Sequence, residues 1–288
     1  KREVPGYIDN VTTGKREINA SNAESARVIL ALKPLRDLSI TATYMTQQSK
    51  QGGDGGVSPS PDELSVAAPT DAHILSRFDL GSVQADWDVA GLKVTSLTGF
   101  TTKRRNQDSD LSYLLVPDFT LYGGIEYPDV DRALNVERRH ARSFTQEIRM
   151  APANPGALNW LVGAFHQKTA FYRSQSITLP GANDAENLPD DIFFETVRHG
   201  EATENSLFAD LDWKLTSQWS LGAGARYFRT TVDFERSNYG APFTAFKSTE
   251  SGSTPKLSTR YQFSPEVSAY ATASRGYRYG GINTIGSQ

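Results

Sequence analysis

Hydrophobic and polar residues alternate along most of the chain. Between 219 and 228, for example, Trp219, Leu221 and Tyr227 alternate with polar or small residues. A period of two is typical of a strand with one apolar face, whereas a helix repeats about every 3.6 residues. The pattern predicts about ten β-strands. The clearest of them cover 26–33, 38–45, 83–89, 92–100, 144–150, 159–165, 206–215, 219–228 and 256–263.

The predicted connections are alternately short and long. The short ones contain the turn-forming residues Pro, Gly, Asn and Asp and cover 33–37, 90–91, 151–156, 216–218 and 264–266. The long ones lie near 48–72, 103–140, 178–203 and 235–252. In an antiparallel sheet this alternation places the short turns at one end and the long loops at the other. Outer-membrane β-barrels have this asymmetry, with short periplasmic turns and long extracellular loops.

Many of the large aromatic residues fall at the apolar positions of the predicted strands. They are Tyr44, Trp87, Phe100, Trp160, Trp213, Trp219, Tyr227, Tyr261 and Phe263. Several lie next to short turns, which favours aromatic girdles at a membrane interface over the general preference of aromatic residues for strands. The alternate positions are polar, small or charged and are predicted to line a lumen. They include Thr41, Thr43, Gln84, Asp86, Glu147, Arg149, Asp210, Asp212, Arg226 and Arg260.

Composition narrows the class of protein. The 288 residues carry a net charge of −3, which argues against a nucleic-acid-binding protein. The chain has no cysteine, which excludes disulfides and cysteine metal sites. No apolar run approaches the roughly 18 residues that a membrane helix needs. A barrel strand needs no such run, because it exposes only alternate residues to lipid.

The charged residues offer little support for catalysis. Asp210 and Asp212 share a strand face, and Glu147 is predicted to line the same lumen. A paired-carboxylate glycosidase centre is one interpretation, but a charge ladder balanced by lumen arginines is favoured. The histidines lack metal-site spacing, and nucleophile, phosphate and dinucleotide motifs are absent. We therefore predict no enzyme, no catalytic or metal-binding residue and no cofactor.

Two basic tracts flank the longest predicted loop, KRR at 103–105 and ERRHAR at 137–142. Guanidinium groups pair well with carboxylates and phosphates. The tracts are therefore suited to an anionic ligand such as a siderophore, or to lipopolysaccharide phosphates. Ion pairs with acidic loop residues are the third interpretation, and the one that sequence alone favours.

Five segments carry a resemblance to a known family. Two of them are FTQEIRMAPANPGALNWLVGAFHQ at 144–167 and TPKLSTRYQFSPEVSAYATASRGYRYGGIN at 254–283, and the others cover 6–19, 94–110 and 207–234. In this order they resemble the barrel of TonB-dependent outer-membrane receptors. The resemblance implies an all-β fold in the bacterial outer membrane. Specifically, it implies a partial antiparallel transmembrane β-barrel of about ten strands.

The resemblance also implies a function, the energy-coupled uptake of a scarce nutrient. Its partners would be the inner-membrane TonB complex, which acts through an N-terminal plug, and a small ligand such as a siderophore, vitamin or saccharide. Outer-membrane lipid and lipopolysaccharide would surround the barrel, and no nucleic acid is expected. The lumen residues that would line the ligand path or anchor the plug are Arg149, Arg226, Arg260 and Arg275.

Two departures from the family pattern concern the extent of the chain. The sequence shows no plug or coupling box, and it ends at GGINTIGSQ without a terminal aromatic strand. Plugged barrels have about 22 strands, and unpaired sheet edges cannot face lipid. We therefore expect residues 1–288 to be part of one TonB-dependent receptor β-barrel domain, with the plug domain and C-terminal strands absent. Such a part is not expected to transport by itself.

Three alternatives stay open from the sequence. A passive outer-membrane porin shares the loop asymmetry, although the SRGYRYGGIN segment does not resemble porins. An outer-membrane barrel enzyme needs a catalytic arrangement at the barrel rim. A soluble β-sandwich adhesin would bury the aromatic residues between two sheets.

Overall fold

The described part of the chain folds mainly into β-strands. The computed structural model describes residues 1–53, 64–116, 130–182 and 189–277. Its strands are β1 (Arg2–Val4), β2 (Asp9–Asn10), β3 (Ser21–Leu35), β4 (Leu38–Gly52), β5 (Ser65–Val66), β6 (His73–Val89), β7 (Leu92–Asp110), β8 (Leu134–Pro152), β9 (Leu158–Thr178), β10 (Ile192–Lys214), β11 (Trp219–Asn238), β12 (Thr244–Gln262) and β13 (Ser268–Ser274). One helical turn, α1 (Ser112–Leu115), follows β7. None of the helices in these ranges is long and apolar enough to cross a membrane.

Eleven strands form a single sheet. Their order is β1-β3-β4-β6-β7-β8-β9-β10-β11-β12-β13, so strands that are close along the chain lie side by side. The pairings in this sheet are antiparallel. The short strands β2 and β5 form a separate parallel pair. The structure thus confirms the predicted antiparallel all-β architecture.

The predicted short turns are also confirmed, and they lie together at one end of the sheet. The clearest is the two-residue turn between β6 and β7, where Ala90 and Gly91 both have positive φ. This backbone conformation matches the right-handed twist of a β-hairpin. We call this end of the sheet the short-turn end and the opposite end the long-loop end.

The strands continue further toward the long-loop end than the alternation predicts. The loop predicted at 235–252 is a tight turn at 239–243, and the one predicted at 178–203 covers only 179–191. Strands β7 and β8 extend into the predicted 103–140 loop and leave 111–133 between them. Both faces of these extensions are largely polar, so the alternation fades although the backbone ladder continues. The two basic tracts therefore lie within strands, which corrects their predicted position beside a loop.

One face of the sheet carries an exposed apolar belt with aromatic edges. Cross-strand pairs such as Phe100–Phe144 and Leu207–Tyr227 place the predicted apolar positions on this outward face. From Trp219 to Tyr227 the strand rises about 26 Å, which suits a tilted strand that crosses an apolar band about 25 Å tall. The long-loop edge of the belt carries Tyr44, Phe100, Phe144 and Tyr227, and the short-turn edge carries Trp87, Trp160, Trp213, Trp219 and Tyr261.

The opposite, inward face is polar and more crowded. Along β11, inward Phe228 and Phe234 are 4% and 5% exposed, whereas outward Tyr227 is 55% exposed. The register places all the predicted lumen residues, from Thr41 to Arg260, on this inward face. Greater crowding on one face is expected for the inner wall of a curved sheet.

A small apolar cluster lies at the long-loop end, where the residues after β7 meet the residues after β9. Val116, Leu179 and Ala182 are buried in it together with Val130 and Ala133. The backbone N–H of Ala133 donates to Ser112 Oγ at 2.9 Å. These contacts hold the two connections against each other above the sheet.

Candidate functional site

Five arginines form a continuous row across the inward face near the long-loop end. Each is the direct cross-strand partner of the next on strands β7 to β11. Neighbouring strands lie about 4.8 Å apart, so the row spans about 19 Å of wall. We call it the arginine row, and its members are Arg105, Arg139, Arg173, Arg198 and Arg236.

One buried carboxylate, Glu137, lies among the cations of the arginine row. Glu137 is 5% exposed and accepts hydrogen bonds from Arg139 Nη2 at 2.7 Å and from Arg173 Nε. Arg105 Nη2 donates to the neutral Gln107 side chain at 3.0 Å. On the inward face of the described strands, Glu137 is the sole carboxylate in the arginine row and in the nearest inward-facing row on either side of it. Cations therefore outnumber carboxylates in these rows of the wall.

Arg198 shows how closely the cations are packed. It lies on the extension of β10, well beyond the apolar belt that ends at Leu207. Burial, followed by the positive charges of Arg173 and Arg236, lowers the pKa of Arg198. Its guanidinium carbon lies 4.9 Å from the centre of the Phe234 ring, a cation–π contact. A bound anion would relieve this repulsion between neighbouring arginines.

Aromatic rings support the arginine row from the adjoining row on the short-turn side. Phe171, Gly200, Phe234 and Phe246 are consecutive cross-strand partners in that row. The rings of Phe234 and Phe246 stack at 5.0 Å, and Phe171 lies 6.4 Å from Phe234 across the glycine. Arg236 lies 5.5 Å above the Phe246 ring. The rings thus hold the guanidinium groups of Arg198 and Arg236 in place.

Replacement of Gly200 by alanine is expected to destabilise the protein by about 1–3 kcal/mol. A Cβ at this position would lie 2.3 Å from the Asp233 carbonyl oxygen and 2.4 Å from the Phe234 Cβ. The free energy of unfolding can be measured by urea titration of the detergent-solubilised protein. Gly81→Ala is the matched control, because a Cβ there meets nothing within 4 Å. Equal stability of the two variants would contradict the expected clash.

A cavity of about 560 Å³ opens beside the arginine row. Its wall includes three arginines of the row, together with Lys103 and the Phe78 and Phe171 rings. Lys103 Nζ lies 5.7 Å from the centre of the Phe78 ring. A pocket with cations above apolar rings is suited to a compact ligand that has anionic groups and an apolar body.

Two of the lumen arginines predicted from the sequence lie in one cross-strand row nearer the short-turn end. Arg149 and Arg226 are separated in that row by Gly163 and Phe208. Arg226 Nη2 donates to buried Glu204 at 2.5 Å and to Ser206 at 2.9 Å.

The other two predicted arginines are separate from this row. Arg260 Nη2 donates to Gln262 at 3.1 Å and to Ser268 at 3.2 Å near the short-turn end. Arg275 follows β13, and its backbone N–H donates to the Pro255 carbonyl. The structure does not bring the four predicted arginines together, and all four lie outside the arginine row. Their role in the ligand path stays a prediction.

The comparison with protein families identifies the chain. Residues 31–287 match the family described as TonB dependent receptor-like, beta-barrel. The chain belongs to this family. Its sheet is therefore part of a receptor barrel of the Gram-negative outer membrane, as the sequence predicts. In such barrels the outward apolar belt faces lipid. The GGIN residues at 280–283, which contributed to the resemblance, lie outside the described residues.

Individual relatives are similar over different shares of this chain. The pesticin receptor of Yersinia enterocolitica is 23% identical over 163 residues, which are 55% of this chain and 23% of the relative. The ferric yersiniabactin uptake receptor FyuA from Yersinia pestis has a TM-score of 0.74 at 14% identity, over 94% of this chain and 40% of its own. The ferric-catecholate import receptor Fiu from E. coli K12 has a TM-score of 0.65 at 11% identity, over 94% of this chain and 48% of its own. The chain thus spans less than half the length of these receptors.

Sequence reasoning found part of the arginine row and missed the rest. The tracts at 103–105 and 137–142 contain Arg105 and Arg139. Arg173, Arg198 and Arg236 are single arginines in segments of mixed polar and apolar residues, where no alternation marks a strand. Extending the inward parity of β9, β10 and β11 beyond their apolar parts would have placed all three on the lumen side.

Proposed function

We propose that this chain forms the ligand-binding wall of a receptor that takes up an anionic ferric siderophore. The arginine row is the observation that carries the proposal. Five guanidinium groups side by side, with one buried carboxylate among them, match a ligand of several negative charges. Guanidinium groups bind carboxylates through paired, charge-assisted hydrogen bonds.

The ligand class agrees with the chemistry of the wall. Siderophores hold Fe³⁺ through deprotonated oxygen atoms, and many of the complexes keep a net negative charge. The cavity beside the row combines cations with the Phe78 and Phe171 rings, so it also suits the organic body of such a chelate. The names of the relatives, a ferric yersiniabactin uptake receptor and a ferric-catecholate import receptor, support the same ligand class.

The proposal extends to the rest of the receptor. Residues 1–288 would be part of one barrel domain, and a plug and further strands would come from other parts of the protein. The ligand would bind at the arginine row and pass along the wall that carries Arg226 and Arg149. Contact between the plug and the TonB complex would supply the energy for release. We propose no catalytic step, in keeping with relatives that are receptors and transporters.

The alternatives have less support. The family match favours a receptor over a passive porin or a barrel enzyme. Neutral saccharides gain little from a row of cations, because they carry no charge to pair with it. A vitamin would have to be anionic to use the same wall.

Uptake of radioactive iron by the intact receptor tests the proposal. Iron-starved cells that carry the receptor gene, and cells that lack it, would be given anionic, neutral and cationic ferric siderophores. We expect receptor-dependent uptake of one or more of the anionic chelates. That uptake should stop when the TonB complex is inactivated. Receptor-dependent uptake of neutral or cationic chelates alone, or of no chelate, would overturn the proposal.

A further inference from the structure

The outward face carries a second group of cations, just beyond the aromatic edge of the apolar belt. Arg77, Arg104 and His140 are consecutive cross-strand partners on β6, β7 and β8. Arg142 lies on the same face of β8, two positions nearer the belt. Lys168 on β9 is the cross-strand partner of Phe144 at the belt edge. We call Arg77, Arg104, His140, Arg142 and Lys168 the outward basic patch.

The charge of the outward basic patch is incompletely balanced by the protein. Arg77 pairs with Asp79 at 2.9 Å, and Lys168 pairs with Glu201 at 2.9 Å. Across the described part of the chain, no carboxylate lies within 4 Å of Arg104 or Arg142. Like charges that lie directly opposite on neighbouring strands, as Arg77 and Arg104 do, destabilise a sheet. An external anion would remove this cost.

His140 adds a second sign of a missing partner. Its Nε2 atom is buried and finds no hydrogen-bond partner among the residues that the structure describes. Buried polar atoms are nearly always hydrogen-bonded in folded proteins. His140 is the cross-strand partner of Arg104 and lies two residues from Arg142 on the same face of β8, so this unsatisfied group belongs to the same patch as the two arginines.

The distance of the outward basic patch from the apolar belt indicates which part of the membrane surrounds its cations. Phe100 and Phe144 contact each other at 5.2 Å between ring centres and mark the edge of the apolar belt. Arg142 and Arg104 lie about 7 and 13 Å further along their strands. Aromatic belts lie at the level of the lipid headgroups. The cations therefore lie at the height of the charged headgroups of the outer leaflet, next to the acyl chains that contact the belt.

We propose that the outward basic patch binds the headgroup phosphates of lipopolysaccharide. Lipopolysaccharide is the anionic glycolipid of the outer leaflet, and its phosphates lie directly above its acyl chains. The exposed guanidinium groups of Arg104 and Arg142 can each bind a phosphate through paired hydrogen bonds. The register points the side chains of this site and those of the arginine row to opposite faces of the same strands, although Arg77, Arg104 and His140 also border the cavity beside the row.

Copurification of lipopolysaccharide with the receptor tests the proposal. The native receptor and the Arg104→Gln/Arg142→Gln variant would be extracted from outer membranes in mild detergent, and the lipopolysaccharide retained per receptor would be quantified by mass spectrometry. We expect the variant to retain about ten-fold less, because charge-assisted hydrogen bonds to phosphate are lost. Lys103→Gln/Arg105→Gln is the matched control, since it removes two cations from the other face. Equal retention by the native receptor and both variants would overturn the proposal.

A second measurement needs no variant. The native receptor would be placed in vesicles that contain either lipid A with both phosphates or dephosphorylated lipid A. We expect a higher unfolding temperature with the phosphorylated lipid, as shown by heat-dependent gel migration. The same unfolding temperature in both vesicles would contradict a phosphate site. Displacement of bound lipopolysaccharide by millimolar inorganic phosphate would instead indicate a general anion site and would also overturn the lipopolysaccharide assignment.

Discussion

The Lys103→Gln/Arg105→Gln variant is expected to bind the anionic ferric siderophore about 100-fold more weakly than the native receptor. Both side chains line the cavity on the inward face of β7, and neither contacts Glu137, so no buried carboxylate loses its partner. A hydrogen bond to a charged group contributes about 1.5–3 kcal/mol. The loss of two such contacts therefore corresponds to at least about 3 kcal/mol, which is a factor of about 100 or more in affinity. Quenching of tryptophan fluorescence by the ferric chelate would measure the affinity.

The matched control for this experiment lies on the outward face of the neighbouring strands β8 and β9. Arg142→Gln/Lys168→Gln also removes two positive charges, but from outward positions that do not line the cavity. If the arginine row binds the ligand, this control keeps the native affinity while the inward variant loses it. A similar loss in both variants would point to the overall charge of the receptor, and no loss in either would exclude the cavity as the ligand site.

The membrane-crossing half of each strand could be predicted from the sequence, because contact with lipid requires apolar residues on one face only. Between Trp219 and Tyr227, every outward residue contacts an apolar solvent and every inward residue faces a polar lumen, so the alternation is clear. The same contrast identified β10 and the aromatic edges of the belt. The antiparallel order then followed from the short turns, such as the one at Ala90 and Gly91.

The half of each strand beyond the belt could not be predicted in the same way. There polar headgroups and water lie on the outside and a polar lumen on the inside, so Arg198 and His199 on adjacent positions of β10 both suit their surroundings. The backbone ladder continues without a pattern in the side chains. The arginine row depends on this continuation and on the register of five strands. Neither can be read from single arginines such as Arg173 or Arg236.

The tract KRR at 103–105 illustrates how one short segment serves two surfaces. Because successive residues of a strand point to opposite faces, Lys103 and Arg105 face the lumen while Arg104 faces the outer leaflet. From the sequence alone, the tract suggested an anionic ligand and lipopolysaccharide phosphates as alternatives. On a strand at this height, the two interpretations are compatible, since each uses a different face.

Replacement of Leu211 by arginine is expected to destabilise the folded barrel by about 2–4 kcal/mol. Leu211 lies on the outward face of β10 and is the cross-strand partner of Ala223, which lies midway between the belt-edge residues Trp219 and Tyr227. An arginine near the middle of the apolar belt loses its hydration and finds no anion there. Urea titration of the receptor folded in lipid vesicles would measure the change in the free energy of unfolding.

The control for this prediction places the arginine one residue further along β10, at Asp212. Asp212 lies on the inward face, beside Gly222 in the polar lumen. In the Asp212→Arg variant the new guanidinium group stays hydrated in the lumen. This substitution is therefore expected to change the free energy of unfolding by less than about 1 kcal/mol. A large difference between the two variants requires that adjacent residues of β10 lie in different solvents, which is the property that defines a transmembrane strand. Equal effects would mean that the aromatic-edged belt does not face lipid, and the membrane orientation inferred from it would have to be abandoned.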